Sequence, residues 1–195
     1  MGDRSLAKRR YMAEFANLAL PLQTPSLVLR RFVPEDAQAM MELNGEPSTR
    51  NWLPSHFYET IAEAVAALAY LIGQYSSPGN PKAGAYVLGV ADRDSGRLLG
   101  HVGFSPLGGD VEVSFAISEG ARGHGYGTEA LGHACLWAAQ SFAIDEIVAV
   151  TASANVLSRH TLARASFVHA SDEVMRFQGT EQPVSRYVWR ARKAK

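Results

Sequence analysis

Glycine stands at every second position, Gly123, Gly125 and Gly127, in "ARGHGYGTEALGHACLWAA", just ahead of a run that reads as helix and just behind Arg122. Glycine lacks the Cβ that would keep a ligand off the main chain, and the first amides of a helix have no intrahelical acceptor. Together they form a concave, electropositive receptor for phosphate. Arg122 adds a forked cation suited to a second phosphate oxygen. Two familiar phosphate loops are excluded: no Lys-Ser/Thr follows the glycines, and Gly123-x-Gly125 runs on to Thr128 rather than to a third glycine at that spacing. On the glycines alone, a tight strand-to-helix turn explains the segment equally well.

The remaining reactive side chains are scattered. His56, His101, His124, His133, His160 and His169 form no His-x-x-x-His pair and no cluster with carboxylates, so a metal site is not expected. His124 is a loop side chain directed to solvent or phosphate, and His133 and Trp137, four apart on a helix, pack together. Cys135 is the only cysteine, which excludes an internal disulfide and fits a reducing, cytoplasmic setting. Its apolar helical surroundings mark it as a buried structural thiol.

The elements that must position these residues follow from periodicity. "GDVEVSFAIS" places Val111, Val113, Phe115 and Ile117 on one strand face and Glu112, Ser114, Ala116 and Ser118 on the other. Before it come a strand "LVLRRF", a helix "PEDAQAMMELNG", a helix "TIAEAVAALAYLIGQY" with a stripe of Ile61, Val65, Leu68, Leu71, Ile72 and Tyr75, and two strands around an Asp94-Ser95-Gly96 turn. After the glycine segment the chain reads helix to about Phe142, strand "DEIVAVTA", helix "NVLSRHTLARASF" and closing strand "VSRYVWRAR". A mixed sheet with helices on both faces, an α/β (α+β) fold, accommodates this order.

The 195 residues suit one domain, expected over 21–195, behind a basic extension over 1–20 that carries Arg4, Lys8, Arg9 and Arg10. Glu14 and the lack of a small-residue cleavage site argue against a secretory signal there, and no run approaches the roughly 18 apolar residues of a membrane span. With 19 basic and 19 acidic residues the formal net charge is zero, so neither nucleic acid nor a membrane surface is an expected partner.

Taken together, Arg122-Gly123-His124-Gly125-Tyr126-Gly127 followed by "TEAL" resembles the acetyl-CoA pyrophosphate loop of the GNAT superfamily, whose pattern is Arg/Gln-x-x-Gly-x-Gly/Ala. "VEVSFAIS" resembles the family's fourth strand and "NVLSRHTLARASF" its Asn-x-x-Ser segment. "LVLRRFVPEDA" resembles the opening of the Rim-type branch, which acetylates ribosomal-protein N-termini. The resemblance covers roughly residues 22 to 190. It implies a mostly antiparallel sheet splayed in its middle, with acetyl-CoA entering between two parallel strands. Phe115 and Ile117 would pair with the pantetheine arm through their main chain. The amides from Gly123 to Thr128, those of His124 and Tyr126 included, would clasp the diphosphate. Glu112 would be the general base, directly or through water, or else an exposed strand carboxylate. Ser158 would hydrogen-bond the departing sulfur, and Asn155 would hold the pantetheine amides while also serving as helix N-cap. Arg159 would reach a cofactor phosphate or lie on a solvated helix face. One departure stands out: Ser166-Phe167 replaces the family's Gly-Phe, which predicts a reshaped turn.

An α-amine with pKa near 7.8 is neutral in roughly one molecule in seven at pH 7, and a lysine near 10.4 in about four per ten thousand, a gap of about 3.5 kcal/mol. An α-amine thus needs the weaker base. The implied function is an N-acetyltransferase acting on a protein N-terminus or a small amine; the alternatives are a non-catalytic acyl-CoA sensor or a nucleotide hydrolase. The acceptor would be shaped by "NWLPSHFYE" and "SSPGNPKAG", where Trp52, Phe57 and Tyr58 line a pocket, join the core or form a homodimer surface.

Overall fold

The structure is a computed structural model and describes residues 19–191. The expected basic extension therefore lies outside the described residues except for Ala19 and Leu20. The chain runs β1 (Leu22–Gln23), β2 (Leu27–Arg30), α1 (Ala37–Gly45), α2 (Pro47–Trp52), α3 (Ile61–Gln74), β3 (Tyr86–Asp92), β4 (Leu98–Leu107) and β5 (Asp110–Ile117). It continues through α4 (Tyr126–Phe142), β6 (Glu146–Ala152), α5 (Val156–Arg164), β7 (Val168–Phe177) and β8 (Thr180–Arg190). The strands form one sheet in the order β1-β2-β3-β4-β5-β6-β8-β7, antiparallel throughout except between β5 and β6.

Helices cover both faces, as the patterning requires. On one face α4 presents Ala130, Leu131, Ala134, Cys135 and Ala138, all fully buried, and the three alanines let its axis approach the sheet. Burial pushes the Cys135 thiol well above its ordinary range, which keeps it protonated and inert. On the other face α1 and α3 close over Phe32, Met40, Leu43 and Leu68. The expected stripe on α3 is only half covered: Leu68 is buried, but Ile61 and Val65 remain 44% and 50% exposed, because the face that the helix turns inward is that of Ala64 and Leu68.

The position of the site is set by where the sheet comes apart. β4 and β5 are paired over eight residue pairs, from Gly100 opposite Ile117 to Leu107 opposite Asp110. β5 and β6 share only two, Val111 with Ile147 and Glu112 with Val148. Beyond Glu112 the two parallel strands diverge, leaving the outer edge of β5 without a partner strand. Three elements were not anticipated from the pattern: β1, the six-residue α2 and β7. β7 is exposed on both faces, with Val168 and Val174 each 65% exposed, so it carries no alternation to read.

Candidate active site

A cleft of ≈ 450 Å³ opens where β5 and β6 part. Its walls are β5 from Val113 to Ile117, β6 from Ala149 to Ala152, the glycine segment, α5 and the end of α2. In the glycine segment Gly123 and Gly125 hold φ of 83° and 82°, the left-handed region that side chains disfavour. Gly127 has another reason: a Cβ there would stand 3.1 Å from Thr161 Cγ2, so its absence lets α4 start against α5. Among the described residues, the main-chain N–H groups from Gly123 to Thr128 donate to no protein acceptor, and the next one, of Glu129, donates to Gly125 O at 3.0 Å. A row of unclaimed donors at the start of a 17-residue helix is an anion receptor by its own electrostatics. A diphosphate therefore fits this segment.

Arg122 lines the same cleft, but its guanidinium is engaged with protein. Nε donates to Ile117 O at 2.9 Å and Nη1 to Ser48 Oγ at 2.6 Å, with Glu46 3.6 Å and Glu119 3.9 Å away. Glu119 in turn accepts from the Ser48 N–H at 3.2 Å, and Glu46 from the Glu119 N–H at 2.9 Å. This mesh straps the start of α2 to the loop after β5. Arg122 thus positions the two walls of the cleft relative to each other, instead of standing beside the amides as a free cation. His124 is exposed, bonds through Nδ1 to Arg122 O at 2.9 Å and stacks on Tyr126.

Glu112, the last β5 residue paired with β6, stands at the apex of the gap and is not among the residues that line the cleft. Burial raises its pKa, while a bond from the Val150 main chain and the charge of Arg186 pull the other way. Asn155 and Ser158 both line the cleft, and Asn155 Oδ1 caps α5 by accepting the Ser158 N–H at 3.1 Å. Arg159 is not brought to the loop. Its guanidinium turns away to Ser153 O at 3.1 Å and Tyr187 Oη at 3.2 Å, because position 159 lies on the side of α5 that faces β8. The residues of α5 that do line the cleft include Leu157, His160, Thr161 and Arg164, spaced by three or four as one helical face. That spacing was the signal by which His160 and Arg164 could have been singled out.

The residues matched by a family model described as "Acetyltransferase (GNAT) domain" are 26–168, most of the chain. The chain belongs to the GNAT acetyltransferase family. No curated protein matches it significantly. Solved structures agree on the fold. A ribosomal-protein-S5-alanine acetyltransferase from Vibrio fischeri superposes with TM-score 0.75 at 16% identity, covering 91% of this chain and 100% of that one. The ribosomal L7/L12 alpha-N-protein acetyltransferase RimL, solved with coenzyme A, gives 0.74 at 14% identity over 87% and 97%. The microcin C7 self-immunity acetyltransferase MccE, solved with acetyl-CoA and AMP, gives 0.74 at 15% over 90% and 99%.

This acetyltransferase is therefore an enzyme of the acyltransferase class with acetyl-CoA as cosubstrate. At the turn after α5, where the family's glycine is replaced, Ser166 adopts φ of 67°, a conformation that glycine would take without strain, and Phe167 is buried behind it. Of the three aromatics weighed for an acceptor pocket, only Trp52 lines the cleft. Phe57 lies under the Arg50 guanidinium, 4.0 Å from ring centre to Cζ, and the Tyr58 hydroxyl lies against Asn44. No described helix is long and apolar enough to cross a membrane.

Proposed function

We propose that the enzyme transfers the acetyl group directly to a primary amine, the α-amine of a protein N-terminus or a small-molecule amine, in the manner of the Rim-type branch. The observation that carries this reading is the row of unclaimed N–H groups from Gly123 to Thr128, opening onto the gap between β5 and β6. When bound, acetyl-CoA supplies the thioester carbonyl and the thiolate that leaves.

The amides of Gly123 to Thr128 hold the diphosphate, and the free edge of β5 around Phe115 pairs with the pantetheine arm. Ile117 has its carbonyl engaged by Arg122, so it contributes mainly by packing against the start of α4. Asn155 commits its oxygen to the helix cap and keeps its amide nitrogen for the arm. Glu112, its basicity raised by burial, removes the proton of the incoming ammonium directly or through one water. Ser158 donates to the sulfur and relays a proton to it.

The test is release of free coenzyme thiol over a panel of amines and N-terminal peptides, with amide NMR spectra recorded alongside. Turnover of one amine class, together with shifts of the Gly123–Thr128 signals on adding coenzyme A, is the expected result. Saturable coenzyme binding with no turnover of any amine would replace this reading with the sensor, and unmoved signals would overturn both.

A further inference from the structure

Twenty-eight of the described residues line the cleft, and none of them is Asp or Glu. Its charged side chains are Arg122 and Arg164; the carboxylates that meet its lining residues, Glu46 and Glu119, both lie against Arg122, and Glu112 adjoins Val113 on β5. A polycation, such as a polyamine or an aminoglycoside, brings several ammonium groups that each need a counter-charge once taken from water. Glu46 and Glu119 are already paired with Arg122, which leaves Glu112, assigned to the reacting amine.

The acceptor end of the cleft is apolar. Trp52 and Leu53 come from the end of α2 and Phe177 from the far tip of the β7–β8 hairpin. Phe177 is held there. The two-residue turn Gln178-Gly179 has φ of 50° and 85°, the primed geometry that keeps the strand twist. Gln182 Nε2 donates to Phe177 O at 3.0 Å, and Ser55 Oγ donates to Gln178 Oε1 at 3.3 Å, tying the hairpin tip to the segment after α2. That segment is held in turn by His56, whose ring meets the buried ring of His101 at 5.7 Å. So the wall is built before any acceptor arrives.

Resting on the acetyltransferase reading above, we infer that the acceptor is a monoamine bearing an apolar substituent, and that Trp52, Leu53 and Phe177 select it. The substituent lies between Phe177 and the end of α2, and its amine lies toward Glu112. An arylalkylamine and a peptide whose first residue is apolar share this chemistry.

The experiment compares kcat/KM by thiol release for 2-phenylethylamine, for peptides starting with Phe, Ser or Lys, and for spermidine and kanamycin. Apolar monoamines are expected to lead spermidine and kanamycin by at least about tenfold, and the peptide arm tells a free amine from a protein N-terminus. Phe177→Ala should raise KM for the apolar acceptor about tenfold with KM for acetyl-CoA unchanged, Phe177→Leu should restore most of it, and Leu53→Glu should shift preference toward spermidine. Spermidine or kanamycin as best acceptor, or Phe177→Ala leaving acceptor KM unmoved in a protein of unaltered Tm, would overturn the inference while leaving transferase activity intact. No turnover with any amine while coenzyme A still raises Tm would overturn the underlying reading as well.

Discussion

The glycine segment before α4 and the tip of the β7–β8 hairpin line one cleft and are built on opposite principles. At the proposed coenzyme end the features are those of main chain: unclaimed N–H groups, two glycines in left-handed conformation and a third that allows close approach. At the proposed acceptor end they are side chains, Trp52, Leu53 and Phe177, carried on elements that meet only in the folded molecule. A site made of main chain tolerates drift in its side chains. A site made of side chains can change acceptor by substitution while the coenzyme end stays as it is.

Four measurements would break or sharpen this contrast. Glu112 stands between the two ends, so Glu112→Gln should lower kcat by about 10²- to 10⁴-fold with acetyl-CoA affinity unchanged; loss of affinity, or unchanged kcat, would remove the base from the apex of the gap. Beneath the acceptor wall, His101 is only 2% exposed, neither ring nitrogen has a described partner, and burial pushes its pKa down to about 3, with His56 adding to the effect. The unfolded chain takes that proton near 6.5 and the folded chain does not until about 3. In that window the unfolded state binds more protons, so stability falls as pH falls, by at most about 1.4 kcal/mol per pH unit from this group. Urea melts at pH 7 and pH 4.5 should show the loss, and His101→Leu should reduce it.

At the coenzyme end, Gly125→Ala should weaken coenzyme A by about tenfold, the cost of forcing a side chain into the left-handed region being about 1–2 kcal/mol. Acceptor KM should stay put, and a matching change in acceptor KM would mean the two ends are not separable. The smallest effect is expected at the turn after α5. Ser166→Gly should raise stability by about 0.5 kcal/mol in a thermal melt, since glycine relieves the φ of 67° but loses more backbone freedom on folding.

What could be read in the residues divides along the same line. The glycine loop, the helix after it and the alternating β5 were legible because each is a local pattern, where spacing of three to four or of two sets which side chains share a face. The β7–β8 hairpin was not: its first strand is exposed on both faces and its turn is Gln-Gly, without the Asn-Gly or Asp-Gly that marks such turns most strongly. The stripe on α3 is shorter than its periodicity suggests for a related reason: spacing groups residues on a helix face but does not say which of them a neighbouring element covers.

Arg122 and Arg159 show the limit most plainly. Their guanidinium chemistry and their place in a motif pointed to phosphate, yet their donors go to Ser48, Ile117, Ser153 and Tyr187. By itself the sequence determined the local conformations: the strand alternation, the helix faces, the run of glycines that frees six amides, and hence the family. Only the tertiary structure decided where β5 and β6 part, which cations are engaged, and that Ser55 meets Gln178 across 123 residues of chain to bring Phe177 to the cleft. Contacts of that range depend on the twist and register of every intervening strand, and no short window of residues carries that information.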